Sequence, residues 1–378
     1  MKDVVILGYV RSPHHFAGKG ALAKVRPDEL AAQVIRALLH SVDVNPADIE
    51  DVILGCAFPE GEQGLNMARL VVFLAGLPQS VGGVTINRFC GSSMQAVHDA
   101  AGAIRMGSGD LFVCAGVEGM SRVPIMGFNP MPHPGLAERQ PEVFSSMGQT
   151  AENLARRYQI SRAEQQDLAV LSHRRAAAAW DTGRFAGEVV AIAGPDGAVD
   201  RDGTVRADTS QEGLSALKPA FDADGTVTAG TSSPLTDGAS AVLVASADYA
   251  KAHGLPVLAR VRSTGLSGCA PEIMGIGPVE AATKALGRAG LSLGDMDVVE
   301  LNEAFAAQAL AVTRDLGLDW DKTNLDGGAI ALGHPLGASG ARITGKAAAV
   351  LKRQGGQFAL ATMCIGGGQG IATVLEAV

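Results

Sequence analysis

Charged and aromatic side chains are scarce in this sequence, and it contains no long hydrophobic run. Only 19% of the 378 residues are charged and 4% are aromatic, whereas 47% are hydrophobic. Without tracts of serine, glutamine or proline, such a composition excludes a disordered or low-complexity chain. Because no 18 apolar residues follow one another, we expect no membrane span. The net charge of −8 disfavours a nucleic-acid-binding surface but allows a local basic patch for an anionic ligand.

Cysteine is also infrequent, and its pattern is informative. No Cys-x-x-Cys pair occurs, and the number of cysteines is odd: Cys56, Cys90, Cys114, Cys269 and Cys364. Both facts argue against a disulfide framework and against a zinc ribbon, so we expect a reducing, cytoplasmic compartment. The first residues, MKDVVILGYVRSP, do not have the pattern of a targeting leader.

Apolar strands alternate with helical patterns from the start of the chain. Strands are predicted at 4–7, 51–55 and 111–116, and helices at 28–40, 66–74 and 91–106. This order predicts an α/β fold with a largely parallel sheet. It also places Cys90 at the N-terminus of a helix.

The sequence repeats itself across its length. DIEDVILGCAF at 48–58 matches DMDVVELNEAF at 295–305 with an offset of 247, and two further pairs match with an offset of 246, CGSSMQ with LGASGA and LFVCAG with QFALAT. Three pairs at nearly one offset indicate an internal duplication. We therefore expect an N-terminal α/β half (1–118), an insertion (119–245) that returns to the first half near its end, and a C-terminal α/β half (246–378).

The insertion has its own pattern. It begins with a loop rich in proline and methionine, SRVPIMGFNPMPHPG, and Ser161 and Glu164 form a capping box ahead of a long helix. Five arginines lie between residues 156 and 175. They indicate either a solvated helix face or a cradle for the phosphates of a ligand.

Cys90, in the corner NRFCGSS, is either a small buried hydrophobic group or a nucleophile. Its possible partner is His334, which lies between Gly333 and Pro335 at nearly the equivalent place of the second half. The duplication should therefore bring the two side chains together across a pseudo-twofold axis. A free thiol is only a few per cent thiolate at pH 7, and a helix N-terminus shifts its pKa by about one unit, so a nearby imidazole is needed as ion-pair partner or proton acceptor.

Further polar groups gather at strand ends in the second half. Cys364 ends an apolar strand and is followed by glycines, and the backbone amides of Gly366 and Gly367 are candidate donors to an oxyanion. Asn302 and Glu303 end another strand, where α/β folds line a ligand crevice. The glycine run lacks the Gly-x-Gly-x-x-Gly spacing of a dinucleotide site. A metal site made of Cys90, Cys364 and His334 is conceivable but has no metal-ligand spacing, so we expect no metal.

Taken together, the motifs resemble the thiolase family over essentially the whole chain. They are, in the order of the family, NRFCGSSMQA, TAGTSSPLTDGA, NEAFAAQ, GGAIALGHPLGASGARI and CIGGGQG. The resemblance implies a duplicated five-layer αβαβα fold with an inserted loop domain. It also implies a homodimer or homotetramer.

Catalytic roles follow from the resemblance position by position. Cys90 would be the nucleophile that carries the acyl group, His334 would activate it, and Cys364 would move the proton at the α-carbon. Asn302, through a water, would form one oxyanion hole with His334, and the backbone amides of Cys90 and Gly366 would form the other. Two developing oxygen charges require two such holes, and each hole stabilises the transition state by about 3 kcal/mol.

The resemblance also implies substrate contacts. Ser233 corresponds to a serine near the pantetheine, Met147 and Phe305 to pocket residues, and Lys218 stands in place of the arginine that usually faces the adenine. A lysine does not reproduce that flat stacking surface. Ser146 stands where the acetoacetyl-specific biosynthetic branch has a histidine, and FNPMPHPGL is more similar to the degradative branch.

These features predict an acyltransferase that cleaves 3-oxoacyl-CoA with CoA, giving acetyl-CoA and a shortened acyl-CoA. CoA and acyl-CoA are then the small-molecule partners, no other cofactor is needed, and association with a β-oxidation complex is possible. A biosynthetic acetoacetyl-CoA thiolase is the near alternative. A non-catalytic acyl-CoA-binding homologue is the alternative of another class.

Overall fold

A mixed α/β fold is built from twelve strands and twelve α-helices in the computed structural model, which describes residues 2–378. The strands are β1 (Val4–Arg11), β2 (His15–Phe16), β3 (Asp51–Gly55), β4 (Gly82–Ile86), β5 (Leu111–Gly119), β6 (Ile192–Gly194), β7 (Gly197–Val199), β8 (Thr236–Ser246), β9 (Ala259–Gly268), β10 (Val298–Leu301), β11 (Phe358–Ile365) and β12 (Gln369–Glu376). The helices are α1 (Pro27–Ser41), α2 (Met67–Leu74), α3 (Ser92–Met106), α4 (Pro134–Arg139), α5 (Met147–Arg157), α6 (Arg162–Asp181), α7 (Gln211–Ser215), α8 (Ala247–Ala252), α9 (Gly277–Ala289), α10 (Ala306–Leu316), α11 (Ala329–Leu332) and α12 (Leu336–Gln354).

Local sequence signals account for the main element boundaries. α1 has Pro27 in its first turn, followed by Asp28 and Glu29, which favour a helix N-terminus. α3 ends at Gly107, whose φ of 79° is the left-handed conformation that stops a helix. The capping box of Ser161 and Glu164 is present at the start of α6. The boundaries of the strands and helices predicted in the first half agree with the structure to within a few residues.

Ten strands form one mixed sheet, in the order β10-β11-β12-β9-β1-β8-β5-β3-β4, with β2 beside β8. Parallel pairing is confined to β3 with β4 and β5 and to β10 with β11, and the other pairs in this sheet are antiparallel. The expectation of a largely parallel sheet is wrong. A buried apolar strand has the same hydrophobic pattern in either direction, and β11 reverses into β12 through a short turn that no helix interrupts.

The strand registers demonstrate the duplication. Asp51 pairs with Phe112, and the residues 247 positions later, Val298 and Ala359, pair in the same way. The third sequence match is therefore offset by 247, not by the predicted 246.

The same register irregularity also occurs in both halves. β1 skips one residue between Ile6 and Gly8 opposite β8, and β9 skips one between Val261 and Ser263 opposite β12. β1 and β9 pair with each other, Val5 opposite Arg260, and so join the two halves into one sheet.

The three largest apolar clusters of the core pack five layers together, and the middle cluster contacts both half-sheets. α1 and α2 cover one outer face, α9 and α10 cover the other, and α3 and α12 lie between the two half-sheets. α12 is buried on nearly every side and even its Arg342 and Lys346 are inaccessible to solvent. This central layer confirms the predicted αβαβα arrangement.

The two central helices meet near their N-termini. The backbone N–H of Ala341 donates to Ser93 Oγ at 2.8 Å, and Gly340 packs directly against the Met94 backbone. Cys90 lies two residues before the first residue of α3, and His334 lies two residues before the first residue of α12. The crossing of the helices therefore fixes the distance between the two side chains.

Between β5 and β8 the chain leaves the large sheet and forms the inserted lobe, which a buried ionic network ties to the halves. Arg11 of β1 donates to Glu188 at 2.7 Å and to both carboxylate oxygens of Asp202 at 2.7 and 2.9 Å. Lys346 of α12 donates to Glu188 at 2.6 Å and contacts Asp326 at 2.7 Å. Removing one partner would leave a buried charge unpaired, at a cost of about 3–5 kcal/mol.

We predict that Gly340→Ala destabilises the protein while Gly102→Ala does not. A Cβ at Gly340 would overlap the Met94 backbone, whereas a Cβ at Gly102, on the exposed face of α3, meets nothing within 4 Å. Overpacking of this kind costs about 1–3 kcal/mol, and an unhindered Gly→Ala change in a helix gains about 0.5–1 kcal/mol. Urea unfolding of both variants measures the difference. Equal stability of the two variants would contradict the close contact of α3 and α12.

Candidate active site

One apolar pocket brings most of the predicted site residues together. Its volume is about 490 Å³ including the open mouth. It is lined by Cys90, Met120, Ile125, Met147, Ser233, Pro234, Leu235, Met274, Ala304, Phe305, His334, Leu336 and Cys364. Two thiols and one imidazole thus face a space that is otherwise nearly all apolar, which is the setting of a small-molecule site.

The corner that carries Cys90 is held in an unusual backbone conformation. Phe89 has a φ of 43°, in the left-handed region that residues other than glycine rarely adopt. The Asn87 side chain accepts the Phe89 N–H at 2.8 Å, and Ser92 Oγ accepts the Arg88 N–H at 2.9 Å and donates to the Phe89 carbonyl at 2.6 Å. Such strain costs about 1–3 kcal/mol and persists only where the surroundings enforce it. Here it turns the Cys90 thiol into the pocket.

Burial controls the ionisation of Cys90. It raises the pKa of the thiol to about 12, and the negative charge of Glu118 acts in the same direction, while the backbone N–H of Gly366 hydrogen-bonds the sulfur and opposes the shift. The field of the α3 N-terminus is too weak to outweigh desolvation. The resting group is therefore a thiol and not a thiolate.

The imidazole of His334 is neutral and firmly held. Its backbone N–H donates to Thr236 Oγ1 at 3.0 Å, its Nδ1 lies 2.6 Å from Ser339 Oγ, and its Nε2 lies 3.4 Å from Asn302 Nδ2. Burial lowers the pKa of His334 to about 3, and the Arg342 charge adds to that shift. Of the two roles left open by the sequence, this environment supports a proton acceptor and disfavours a standing ion pair.

Asn302 lies behind the imidazole at the end of β10. Its side chain is inaccessible to solvent, and its Oδ1 has no hydrogen-bond partner within residues 2–378. A buried amide oxygen without a partner is a site where an ordered water binds. This placement suits the predicted water-mediated role of Asn302.

Cys364 approaches from the opposite side, one residue before the end of β11. It packs among Met147, Met274, Ala304 and Phe305, and burial raises the pKa of its thiol. After Gly366 the chain turns sharply at Gly367 and Gly368, with φ values of 79° and 84°. A Cβ at Gly368 would overlap the Cys269 carbonyl, so the turn that presents the Gly366 amide depends on glycine.

The predicted substrate residues are only partly gathered here. Ser233 lines the pocket, but its N–H and Oγ both donate to the Ala304 carbonyl at 3.0 and 2.9 Å, which fastens its loop to the segment after Asn302. Phe305 packs edge-on against Phe221 with ring centres 5.8 Å apart. Lys218 is exposed and lies outside the pocket lining.

The structure shows how two features of the insertion are placed. Of the apolar residues in the loop 124–146, Ile125 lines the pocket, whereas Met126, Phe128 and Met131 are exposed by 50%, 61% and 81%. The arginines are largely occupied: Arg156 pairs with Asp222, Arg162 binds carbonyls at the end of α7, and Arg175 binds the Thr323 and Trp320 carbonyls at 2.7 Å. Arg162 and Arg175 thus make internal contacts, whereas Arg156, Arg157 and Arg174 are exposed, as a solvated helix face predicts.

Sequence reasoning missed Glu118, the buried group that connects the two halves of the site. Its carboxylate accepts N–H groups from Ala57, Phe58, Gln63 and Gly337 at 2.9 to 3.2 Å. Gly337 is in the first turn of α12, so a residue of β5 caps the helix that follows His334. No local motif signals this contact, because the partners are far apart in the sequence.

Within residues 2–378, no three His, Cys, Asp or Glu side chains are grouped so that they would hold a metal ion. None of the helices in that range combines the length and the apolar character that crossing a membrane requires.

Comparison with known proteins gives a consistent result. Residues 4–248 match the family described as "Thiolase, N-terminal domain", and residues 255–377 match "Thiolase, C-terminal domain". The chain is 51% identical over 388 residues to a 3-ketoacyl-CoA thiolase of Aeromonas salmonicida and 51% identical over 388 residues to one of Shewanella denitrificans, with complete coverage of both sequences in each case.

Solved structures agree. Human mitochondrial 3-ketoacyl-CoA thiolase in complex with CoA is 40% identical, with a TM-score of 0.93 and coverage of 100% of this chain and 98% of that one. An acetyl-CoA acetyltransferase of Bacillus anthracis is 41% identical, with a TM-score of 0.92 and coverage of 100% and 99%. The backbone alone therefore does not separate the two activities.

We predict that Cys90 is alkylated first among the five cysteines and that its rate keeps rising with pH. Cys90 and Cys269 are half-buried and the other three are buried. Because the raised pKa keeps the thiolate a minor form, the rate should still increase above about pH 9. Peptide mapping after iodoacetamide treatment measures it, with Cys90→Ala reporting the background from Cys269. A plateau below about pH 8 would instead indicate a preformed thiolate–imidazolium pair.

Proposed function

The chain belongs to the thiolase family, and from this we propose how its pocket performs the reaction. Its activity is the cleavage of 3-oxoacyl-CoA by CoA, giving acetyl-CoA and a shortened acyl-CoA. CoA enters as a substrate, and no other cofactor takes part. Cys90 carries the acyl group, His334 and Cys364 move the protons, and the site described above holds all three.

The proposed residue roles are supported by one observation: three reactive groups line the same pocket. Cys90, His334 and Cys364 line it from the start of α3, the start of α12 and the end of β11. A hydrolase dyad would need one thiol and one imidazole. A second buried thiol supports a reaction that requires a second acid or base at a different carbon.

The first half-reaction transfers the acyl group. The Cys90 sulfur attacks the 3-oxo carbon while His334 Nε2 takes the thiol proton, and the negative charge develops on the substrate oxygen. Collapse of this intermediate breaks the bond between C2 and C3, and Cys364 gives its proton to C2, releasing acetyl-CoA. The protein is left with a thioester on Cys90, a thiolate at Cys364 and a protonated His334.

The second half-reaction restores the resting state. The Cys364 thiolate takes the proton of the incoming CoA thiol, and the CoA sulfur attacks the thioester carbonyl. When the Cys90–carbon bond breaks, the proton on His334 returns to the Cys90 sulfur. The backbone amides of Cys90 and Gly366 and the pair of His334 with the Asn302-bound water are suited to stabilise the two oxygen charges. Donors of this kind contribute about 3 kcal/mol each.

Two alternatives are separated by simple measurements. A non-catalytic acyl-CoA-binding protein would gain no covalent acyl group, so mass spectrometry after incubation with acetyl-CoA distinguishes it. A biosynthetic acetoacetyl-CoA thiolase would share every catalytic group. The apolar wall of Met120, Ile125 and Leu235 supports a longer acyl chain and hence the degradative direction.

We further propose that the protein is a homodimer or homotetramer. β4 is the last strand of the sheet and has no second partner strand within residues 2–378. The Asn66 side chain binds the Gly83 carbonyl and the Thr85 N–H of β4, and Val84 of β4 and Phe89 just after it are each 39% exposed. A strand at the end of a sheet supports pairing with a second copy. A light-scattering mass of 38.6 kDa would contradict a dimer or tetramer.

All five cysteines are free, which supports a cytoplasmic location. Association with other β-oxidation enzymes is a further expectation, and co-purification tests it.

We expect variants of the three catalytic groups to separate the half-reactions. Cys90→Ala removes covalent acylation and turnover. Cys364→Ala still acylates Cys90 from acetyl-CoA, because the CoA sulfur can leave as a thiolate without a proton from Cys364. It loses carbon–carbon bond formation and cleavage, by about 100-fold or more, because no group is left to take or give the proton at C2. His334→Ala impairs both steps. Intact-mass analysis and a thiolysis assay measure them. Equal loss of both steps in Cys364→Ala would indicate a single catalytic dyad.

We also expect kcat/KM to rise with acyl length from four to about ten carbons, since each buried methylene contributes about 0.8 kcal/mol. Ile125→Ala should reduce this preference for longer chains. Met131→Ala is the matched control, because Met131 lies in the same loop but outside the pocket lining. A maximum at four carbons followed by a steep decline would favour the acetoacetyl-CoA enzyme.

A further inference from the structure

The imidazole of His334 has one strong hydrogen-bond partner, and that partner is a hydroxyl. Ser339 Oγ lies 2.6 Å from His334 Nδ1, and Ser339 is fully buried. No other hydrogen bond of this hydroxyl occurs within residues 2–378. No carboxylate within that range forms a hydrogen bond to His334.

The other ring nitrogen faces a donor. Asn302 Nδ2 lies 3.4 Å from Nε2, and an amide NH₂ group can only donate. In the neutral ring one nitrogen carries the proton and the other has a lone pair. With the Asn302 amide in this orientation, the lone pair is assigned to Nε2 and the proton to Nδ1, which then donates to Ser339 Oγ.

Ser339 is fixed by the helix that carries it. It occupies the first turn of α12, where Glu118 accepts the Gly337 N–H at 2.9 Å and Ser93 Oγ accepts the Ala341 N–H at 2.8 Å. Ser240 Oγ donates to the Ala338 carbonyl at 2.5 Å. Three side chains of the first half thus hold the turn on both sides of Ser339. Because the Ser339 hydroxyl is fixed in this way, its hydrogen bond also fixes the position of the His334 imidazole.

We propose that Ser339 is a positioning residue that holds His334 in the Nδ1–H tautomer, leaving the Nε2 lone pair to accept the Cys90 proton. The inference rests on the proposed role of His334 as the base. A hydroxyl suits that role, because a carboxylate in its place would stabilise the imidazolium and slow the return of the proton to Cys90. Without Ser339 a proton on the buried Nδ1 has no acceptor, which favours its movement to Nε2, where the ring cannot accept the Cys90 proton.

The first test is spectroscopic and needs no catalytic assay. In protein with ¹⁵N-labelled histidine, the His334 signals, identified by their loss in His334→Asn, should show a protonated Nδ1 and an unprotonated Nε2. Ser339→Ala should shift these signals toward the other tautomer. A wild-type ring protonated at Nε2 would overturn the proposal.

The second test is kinetic. We expect Ser339→Ala to lower kcat by about 10–100-fold with little change in KM, and Ser339→Thr to restore most of the loss by returning a hydroxyl. Thr344→Ala is the matched control: it removes another buried hydroxyl of α12, one that donates to the Gly340 carbonyl and not to the imidazole. Ser339→Ala with the same kcat as Thr344→Ala would refute the inference.

The outcome for His334 separates this inference from the proposed function. If His334→Ala retains full turnover, the assigned mechanism itself is wrong. If His334→Ala is inactive while Ser339→Ala keeps normal kcat and tautomer, only the positioning role of Ser339 is wrong.

Discussion

The contact between the first turns of α3 and α12 is the constraint on which the site depends. The Ala341 N–H binds Ser93 Oγ, and Gly340 allows the α12 backbone to rest on Met94. Both helices are enclosed between the half-sheets, so neither can move without disturbing the core on both sides. Cys90 lies two residues before α3 and His334 two residues before α12. This buried crossing therefore sets the distance between the two side chains. The chemistry is therefore placed by packing and not by the flexible surface of the protein.

Burial then decides the protonation states. The pKa of Cys90 is raised to about 12 and that of His334 is lowered to about 3, so both groups are neutral at physiological pH. A preformed ion pair in this pocket would lose hydration that the surroundings do not replace. The backbone amides of Gly366 and of Cys90 itself favour the charged sulfur, and the Gly366 amide lies on the glycine turn after β11. The structure thus favours transfer of the proton at the moment of attack over storage of a reactive thiolate.

The duplicated halves contribute unequally to this site. In the register of β3 and β10 the position of Asn302 corresponds to Gly55, and in that of β5 and β11 the position of Cys364 corresponds to Val117. The second half thus supplies His334, Asn302 and Cys364, and the first half supplies Cys90 and the supports Ser93, Glu118, Thr236 and Ser240. One symmetric framework therefore carries a single asymmetric centre. The inserted lobe adds Ile125 and Met147 to the pocket and is fastened by the buried pairs of Arg11.

The sequence by itself determined β1, β3, β5 and α1 to α3 of the first half, but not β2 or β4. It also determined the duplication, the capping box of α6 and the motifs of Cys90, His334, Asn302 and Cys364. Hydrophobic periodicity, helix caps and repeated segments are local or self-similar signals, and they are readable without the fold. The tertiary structure alone decided the direction of the strands, the one-residue correction to the repeat, the internal contacts of Arg162 and Arg175, and the exposure of the loop around Met131. It also brought Glu118 to α12 and raised the pKa of Cys90. These properties depend on desolvation and on contacts between residues far apart in the chain, and neither leaves a pattern in the neighbouring sequence.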